Sequence, residues 1–151
     1  MPVVFHSLIP VTIKNRRPLK LFINRLFKEE GKALHSLNII FCSDEYLLAI
    51  NKLHLQHNFY TDIITFDLSE KDSQFIIGEL YISIDRVKEN AFSLSINFST
   101  ELLRVIFHGA LHLCGFKDKT KTDIKNMRDK EEEYLRLYTT LWSMVPRGNI
   151  L

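Results

Sequence analysis

Residues 100–116 read TELLRVIFHGALHLCGF, and the fold class turns on how this stretch is read. Its spacing predicts a helix over about residues 100–114. Leu102, Leu103, Val105, Ile106, Phe107, Ala110, Leu111, Leu113 and Cys114 place apolar side chains on nearly every side of it. A helix that is apolar all round, in a chain too polar to be a membrane protein, is a buried helix. Other elements must therefore surround it. Glu101, Arg104, His108 and His112 break the apolar pattern at spacings of three, four and four, so they share one face. Polar groups buried without partners cost about 1–3 kcal/mol each, so this stripe requires partners or a ligand.

Working outward, residues 3–9 read as a short strand ended by Pro10. Pro18 opens a helix whose Leu19, Phe22, Ile23, Leu26 and Phe27 repeat at the helical period, with Gly31 as its stop. Residues 37–42 read as a strand. Ser43 then caps a helix with Asp44 and Glu45 in its first turn. Residues 53–61 are polar and read as a loop. Residues 62–66 and 75–83 are rich in strand formers, with a turn over 70–73 between them. Ile84, Val87, Ala91 and Leu94 mark a third helix, and a fifth is expected over about 122–142. Strands and helices mix without strict alternation, which gives the α+β class: a mixed sheet of about four strands packed with about five helices. Residues 1–145 are expected to form one domain, with 146–151 a loose C-terminal tail.

Composition bounds the function. At 151 residues one core suffices, burying roughly 68–70% of the extended surface. With 46% apolar and 25% charged residues, a disordered chain is excluded. No run of about 18 apolar residues exists, so no membrane span is expected. Residues 1–10 do not read as a signal peptide, and two cysteines are too few for a disulfide scaffold. The expectation is a reduced, cytoplasmic protein. Its net charge of +2 neither announces nucleic acid nor excludes it.

His108 and His112, at i and i+4, can direct both imidazoles at one atom, as in helical zinc sites. Gly109 costs about 1 kcal/mol relative to alanine inside a helix, so something must approach the backbone there. Gly115 ends the helix, and Asp118 follows closely enough to supply a third ligand from the returning loop. Blander readings stand beside these. On these the two histidines are satisfied without metal, Asp118 is a solvated carboxylate between Lys117 and Lys119, and Glu101 with Arg104 forms only a surface ion pair. Cys114 falls on another face and reads as core. Position 109 is glycine where a His-Glu-x-x-His peptidase places its general base, which argues against peptide hydrolysis.

His108-Gly109-Ala110-Leu111-His112-Leu113-Cys114-Gly115-Phe116 resembles the hallmark of the YbeY family, H-G-x-L-H-L-x-G-Y-D-H. The resemblance extends to both sides. Asn51 and then Thr61-Asp62-Ile63-Ile64-Thr65-Phe66 are similar to the family's N-x-x-Y-R and P-T-D-V-L-S-F block. Ile77-Gly78-Glu79-Leu80-Tyr81-Ile82-Ser83 resembles its G-D-I-x-I strand, and residues 127–132 resemble its M-x-x-x-E segment. Together these span roughly residues 35–137, in order.

The resemblance implies a bacterial, metal-dependent, single-strand-specific endoribonuclease. It implies action in maturation of the 16S rRNA 3′ end and in ribosome quality control, with the small subunit or its proteins as partners. It implies one zinc ion per chain, other divalent metals being admissible. His108 and His112 carry over as ligands, and Asp118 stands where the family has a third histidine. Three protein ligands leave a fourth position open, so the chemistry expected is attack by an activated water on a phosphodiester.

Leu55 stands where the family carries a basic residue. Arg104, one turn before His108, is the first candidate for the missing cation; Lys117 and Lys119 are candidates for RNA contact, and His54 and His57 for substitutes from the loop. Lys14, Arg16, Arg17, Lys20, Arg25, Lys121, Lys125 and Arg128 offer further charge, and Phe59, Tyr60 and Phe116 offer stacking surfaces. Two rivals remain: a non-catalytic ribosome-assembly factor that binds metal, and a metal hydrolase with a substrate other than RNA.

Overall fold

The computed structural model describes residues 2–56 and 60–144. Four strands, β1 (Val3–Ser7), β2 (Ala33–Cys42), β3 (Ile63–Asp67) and β4 (Phe75–Ser83), form one sheet in the order β1-β2-β4-β3. β1, β2 and β4 run parallel, and β3 returns antiparallel along β4 as an edge strand. Five helices accompany them: α1 (Arg16–Glu29), α2 (Asp44–Leu55), α3 (Ile84–Leu94), α4 (Phe98–Leu113) and α5 (Lys121–Met144). The expected mixed α+β architecture is the one observed. The expected tail over 146–151, together with His57 and Phe59, lies outside the described residues.

Short polar side chains start the helices. Ser43, Ser83 and Asn97 accept hydrogen bonds from the N–H groups of Tyr46, Arg86 and Thr100 and so cap α2, α3 and α4. Pro18 sits inside the first turn of α1, where its missing N–H costs nothing. Two boundaries differ from those expected by three residues or more. β2 begins at Ala33, because its first half alternates exposed and half-buried residues and carries a register break between Leu34 and Ser36. α2 continues through Leu55, where Leu53 and Leu55 face solvent and give no apolar signal, until Gln56 turns left-handed.

Alternation along the strands feeds two clusters. Leu37, Ile39 and Phe41 of β2 and Leu80 and Ile82 of β4 face the main core, against Phe22, Ile23 and Phe27 of α1 and Val105, Ile106 and Phe107 of α4. Cys42, Ile64, Phe66 and Tyr81 point the other way, beneath Leu47 and Ile50 of α2. The Phe22 ring lies 5.4 Å from that of Phe107 and 5.0 Å from that of Tyr138, joining α1, α4 and α5.

α4 is the central helix its sequence requires. It packs on α1, α3, α5, β3 and β4. Two glycines let it lie flush on the sheet. A Cβ at Gly78 of β4 would stand 2.7 Å from Leu113, and one at Gly109 would stand 2.8 Å from Leu80. The close approach expected at Gly109 is therefore that of the sheet. Among the described residues no buried side-chain nitrogen or oxygen lacks a partner, so the buried atoms of α4's polar stripe are all paired.

Candidate metal centre

The last two turns of α4 present His108 and His112 with ring centroids 4.6 Å apart. Beyond them the helix ends in a Schellman turn. The N–H of Gly115 donates to the carbonyl of His112 and that of Phe116 to the carbonyl of Leu111, each at 3.0 Å. Gly115 has φ +105°, a conformation that side chains resist. Phe116 then packs partly against the main core. This reversal brings Asp118 back over the end of the helix.

One carboxylate oxygen of Asp118, Oδ2, lies 3.2 Å from Nε2 of His112 and 3.4 Å from Nε2 of His108. One ligand atom from each of the three residues falls within 4.8 Å of the others. An ion about 2.0–2.2 Å from each donor in tetrahedral geometry would separate the donors by about 3.3–3.5 Å. The two N···O distances meet that requirement. The tautomer also fits: Nδ1–H of His108 donates to Oε2 of Glu131 at 2.6 Å, which leaves the Nε2 lone pair facing Asp118.

The three side chains form one end of a cavity of about 490 Å³. Asn51 and Leu55 from the end of α2 form one wall, and residues 61–65 with Asp67 form another. Asp62, Asp67 and Asp118 line it, and among the described residues no lysine or arginine does. Burial holds the Asp62 carboxyl above its ordinary range, against the opposing pull of His108 and Arg104. Nδ2 of Asn90, from α3, donates to its Oδ2 at 3.4 Å.

Arg104 does not take the place expected of it. Its guanidinium is absent from the cavity wall and is spent on two carboxylates. Nε donates to Glu101 at 2.8 Å, and a terminal nitrogen donates to Oε1 of Glu131 at 3.1 Å. Glu101 is 0% exposed and Glu131 only 2%. The pairing holds Arg104 still more firmly charged than usual. Burial alone would raise the Glu131 carboxyl, but His108 and Arg104 outweigh it and hold the group below its ordinary range. Glu101 and Arg104 thus form an ion pair inside the fold, where a surface pair was the plain reading.

Lys117 and Lys119 flank Asp118 and are exposed, with no carboxylate partner among the described residues. Leu55 occupies the cavity wall where a basic side chain is expected by resemblance. His54 stands edge-on to Phe66, 6.1 Å between centroids, and is not among the cavity residues. Tyr60 is exposed, with the Arg86 guanidinium 5.0 Å above its ring. Of the other cations, Arg16 and Lys20 lie over Phe5, Arg25 pairs with Glu29, and Lys125 pairs with Asp129. Cys114 is no ligand; burial pushes its thiol up to about 12.

The sequence reading passed over Glu131, Asp62 and Asn51 as site residues. Glu131 had a signal: the M-x-x-x-E spacing counted from Met127 lands on it, and a buried Arg104 needs more than one acceptor.

Comparison with known proteins covers the region that holds these residues. The family model described as endoribonuclease YbeY matches residues 11–139. An endoribonuclease YbeY of Cytophaga hutchinsonii is 47% identical over 125 residues, covering 83% of this chain and 87% of its own. That of Porphyromonas gingivalis (strain ATCC 33277) is 48% identical over 120 residues, covering 80% and 78%. That of Christiangramia forsetii is 42% identical over 134 residues, covering 89% and 92%. The solution structure of a Thermotoga maritima protein superposes with a TM-score of 0.67 at 27% identity, over 97% of this chain and 95% of that one.

Proposed function

Because this chain belongs to the endoribonuclease YbeY family, we propose that it is a metal-dependent endoribonuclease specific for single strands. Its work is maturation of the 16S rRNA 3′ end and ribosome quality control, in the cytoplasm, on the small ribosomal subunit or its proteins. Among the described residues no helix is long and apolar enough to cross a membrane. The observation that carries the reading is the convergence of His108, His112 and Asp118 at one end of a cavity wide enough for a nucleotide.

Zinc is the ion of this reading, held by His108, His112 and Asp118, a donor set that also admits other divalent metals. When bound, it supplies Lewis acidity that polarises a phosphoryl oxygen and lowers the pKa of water. The chain's own residues do the rest. Asp62 sits in the same cavity with a carboxyl that burial holds above its ordinary range, which suits it to accept a proton from the attacking water. Lys117 and Lys119 stand beside Asp118, in reach of an RNA backbone arriving at that end of the cavity. Arg104 contributes from inside the fold and does not touch substrate.

One observation favours a second reading. Leu55 and the acidic lining leave the cavity wall without a cation, which a metal-binding ribosome-assembly factor without catalysis would tolerate. Cleavage of single-stranded, rRNA-like RNA decides between them. Wild type should cleave it, chelator should abolish cleavage, and identically purified His112→Ala should bind no metal and cleave nothing. Metal-loaded wild type that leaves the RNA intact would favour the assembly factor.

A further inference from the structure

We propose that Glu131 is the positioning residue of the metal centre, held in place from inside the fold by Arg104 and Glu101; this rests on the reading of His108 as a ligand. The argument begins with the imidazole. Only Nε2 of His108 faces Asp118, so a ligand lone pair there requires the ring proton on Nδ1. Nδ1 lies 2.6 Å from Oε2 of Glu131, an oxygen that can only accept, which fixes both the tautomer and the plane of the ring. No described residue holds Nδ1 of His112, so one ligand is preset and the other is left to adjust.

Glu131 divides its two oxygens. Oε2 takes His108 and Oε1 takes Arg104, at 2.6 and 3.1 Å. Arg104 in turn is anchored on Glu101, which is 0% exposed. Buried charges persist only when paired, so the Glu131 carboxylate, 2% exposed, cannot turn away from Arg104 and His108 without being left unpaired. A clip serving merely to fasten α5 to α4 needs no histidine. Here one carboxylate oxygen is directed at the ligand ring, although Arg104 stands beside it.

The test compares Glu131→Gln with wild type, without metal and with zinc. Nitrogen-15 NMR of the metal-free proteins at pH 8 should show His108 as a single Nδ1–H tautomer in wild type and as a mixture in the variant. Zinc affinity, measured by chelator competition with the metal alone, should fall about 10–100-fold. Glu131→Asp keeps the charge and draws the carboxylate back; it serves if the glutamine variant misfolds, and it should also lose zinc affinity at least tenfold. Unchanged tautomer together with zinc affinity within twofold of wild type, alongside a lower melting temperature, would mean a fastening role only and overturn the proposal. A wild type that binds no zinc would instead overturn the metal reading, and this proposal with it.

Discussion

Cδ1 of Ile63 stands 2.7 Å from where a Cβ at position 109 would be, so the edge strand β3 meets α4, the helix of His108 and His112, at a glycine. Leu80 of β4 closes the same space at 2.8 and 2.9 Å and is fully buried. Gly109→Ala gains about 1 kcal/mol of helix propensity. Overpacking of this kind costs about 1–3 kcal/mol, and Leu80 has nowhere to move. The expected result is a net loss of up to about 2 kcal/mol in urea denaturation, with α4 displaced from the cavity and weaker zinc affinity.

Leu55 offers the opposite experiment. It is 40% exposed at the end of α2, so Leu55→Arg should leave stability nearly unchanged. The new guanidinium would enter a cavity whose charged side chains are otherwise acidic, beside Asp62 and Asp118. A charge-assisted contact to phosphate contributes about 1.5–3 kcal/mol, so kcat/KM on single-stranded RNA should rise on the order of tenfold. The gain should shrink as salt is added. An unaltered KM at low salt would show that backbone phosphate does not pass this wall.

As a ligand, Asp118 would set the acidity of a metal-bound water. Asp118→Ala should weaken zinc affinity but less than His112→Ala, since two imidazoles remain. Asp118→His removes an anion from the ligand set and should move the acid limb of the pH–kcat/KM profile to lower pH. Full zinc affinity in Asp118→Ala would remove Asp118 from the ligand set.

Asp62 predicts a trade between stability and rate. Its raised carboxyl means that the native metal-free protein binds this proton more tightly than the unfolded chain does. Asp62 therefore carries no penalty below the unfolded-state pKa of about 3.9. Stability is then lost as pH rises through that value toward the raised native pKa, and stays lost above it. Asp62→Asn lacks this penalty, so by urea denaturation of metal-free protein it should match wild type near pH 4 and exceed it at pH 8. Its kcat should fall about 10²–10⁴-fold if Asp62 accepts the proton.

The fold was legible where side chains repeat with a clear period. α3 and β4 match their expected limits because Ser83 both closes the strand and caps the helix. The ends of β2 and α2 were not legible, because Leu34, Leu53 and Leu55 are partly or fully exposed there and carry no packing signal. In the site, His108, His112 and Asp118 could be read because all three lie on one helix end and the turn after it. Glu131 lies 23 positions from His108, and no local pattern announces an acceptor delivered by another helix. Arg104 shows the same limit. Its pairing with Glu101 could be read from the i, i+3 spacing on α4, while its second carboxylate, Glu131, comes from α5.

The turn at Gly115 also has a kinetic meaning. Six positions separate His112 from Asp118, a loop whose closure costs little entropy. The donor atoms can thus gather as soon as α4 and its terminal turn form. By then all four strands have left the ribosome, since they precede α4 in the chain and synthesis runs from the N-terminus. α5 emerges last, carrying Glu131. An ion that met these donors before α5 docked would therefore find His108 without its Nδ1 acceptor, and docking of that helix would tighten its hold.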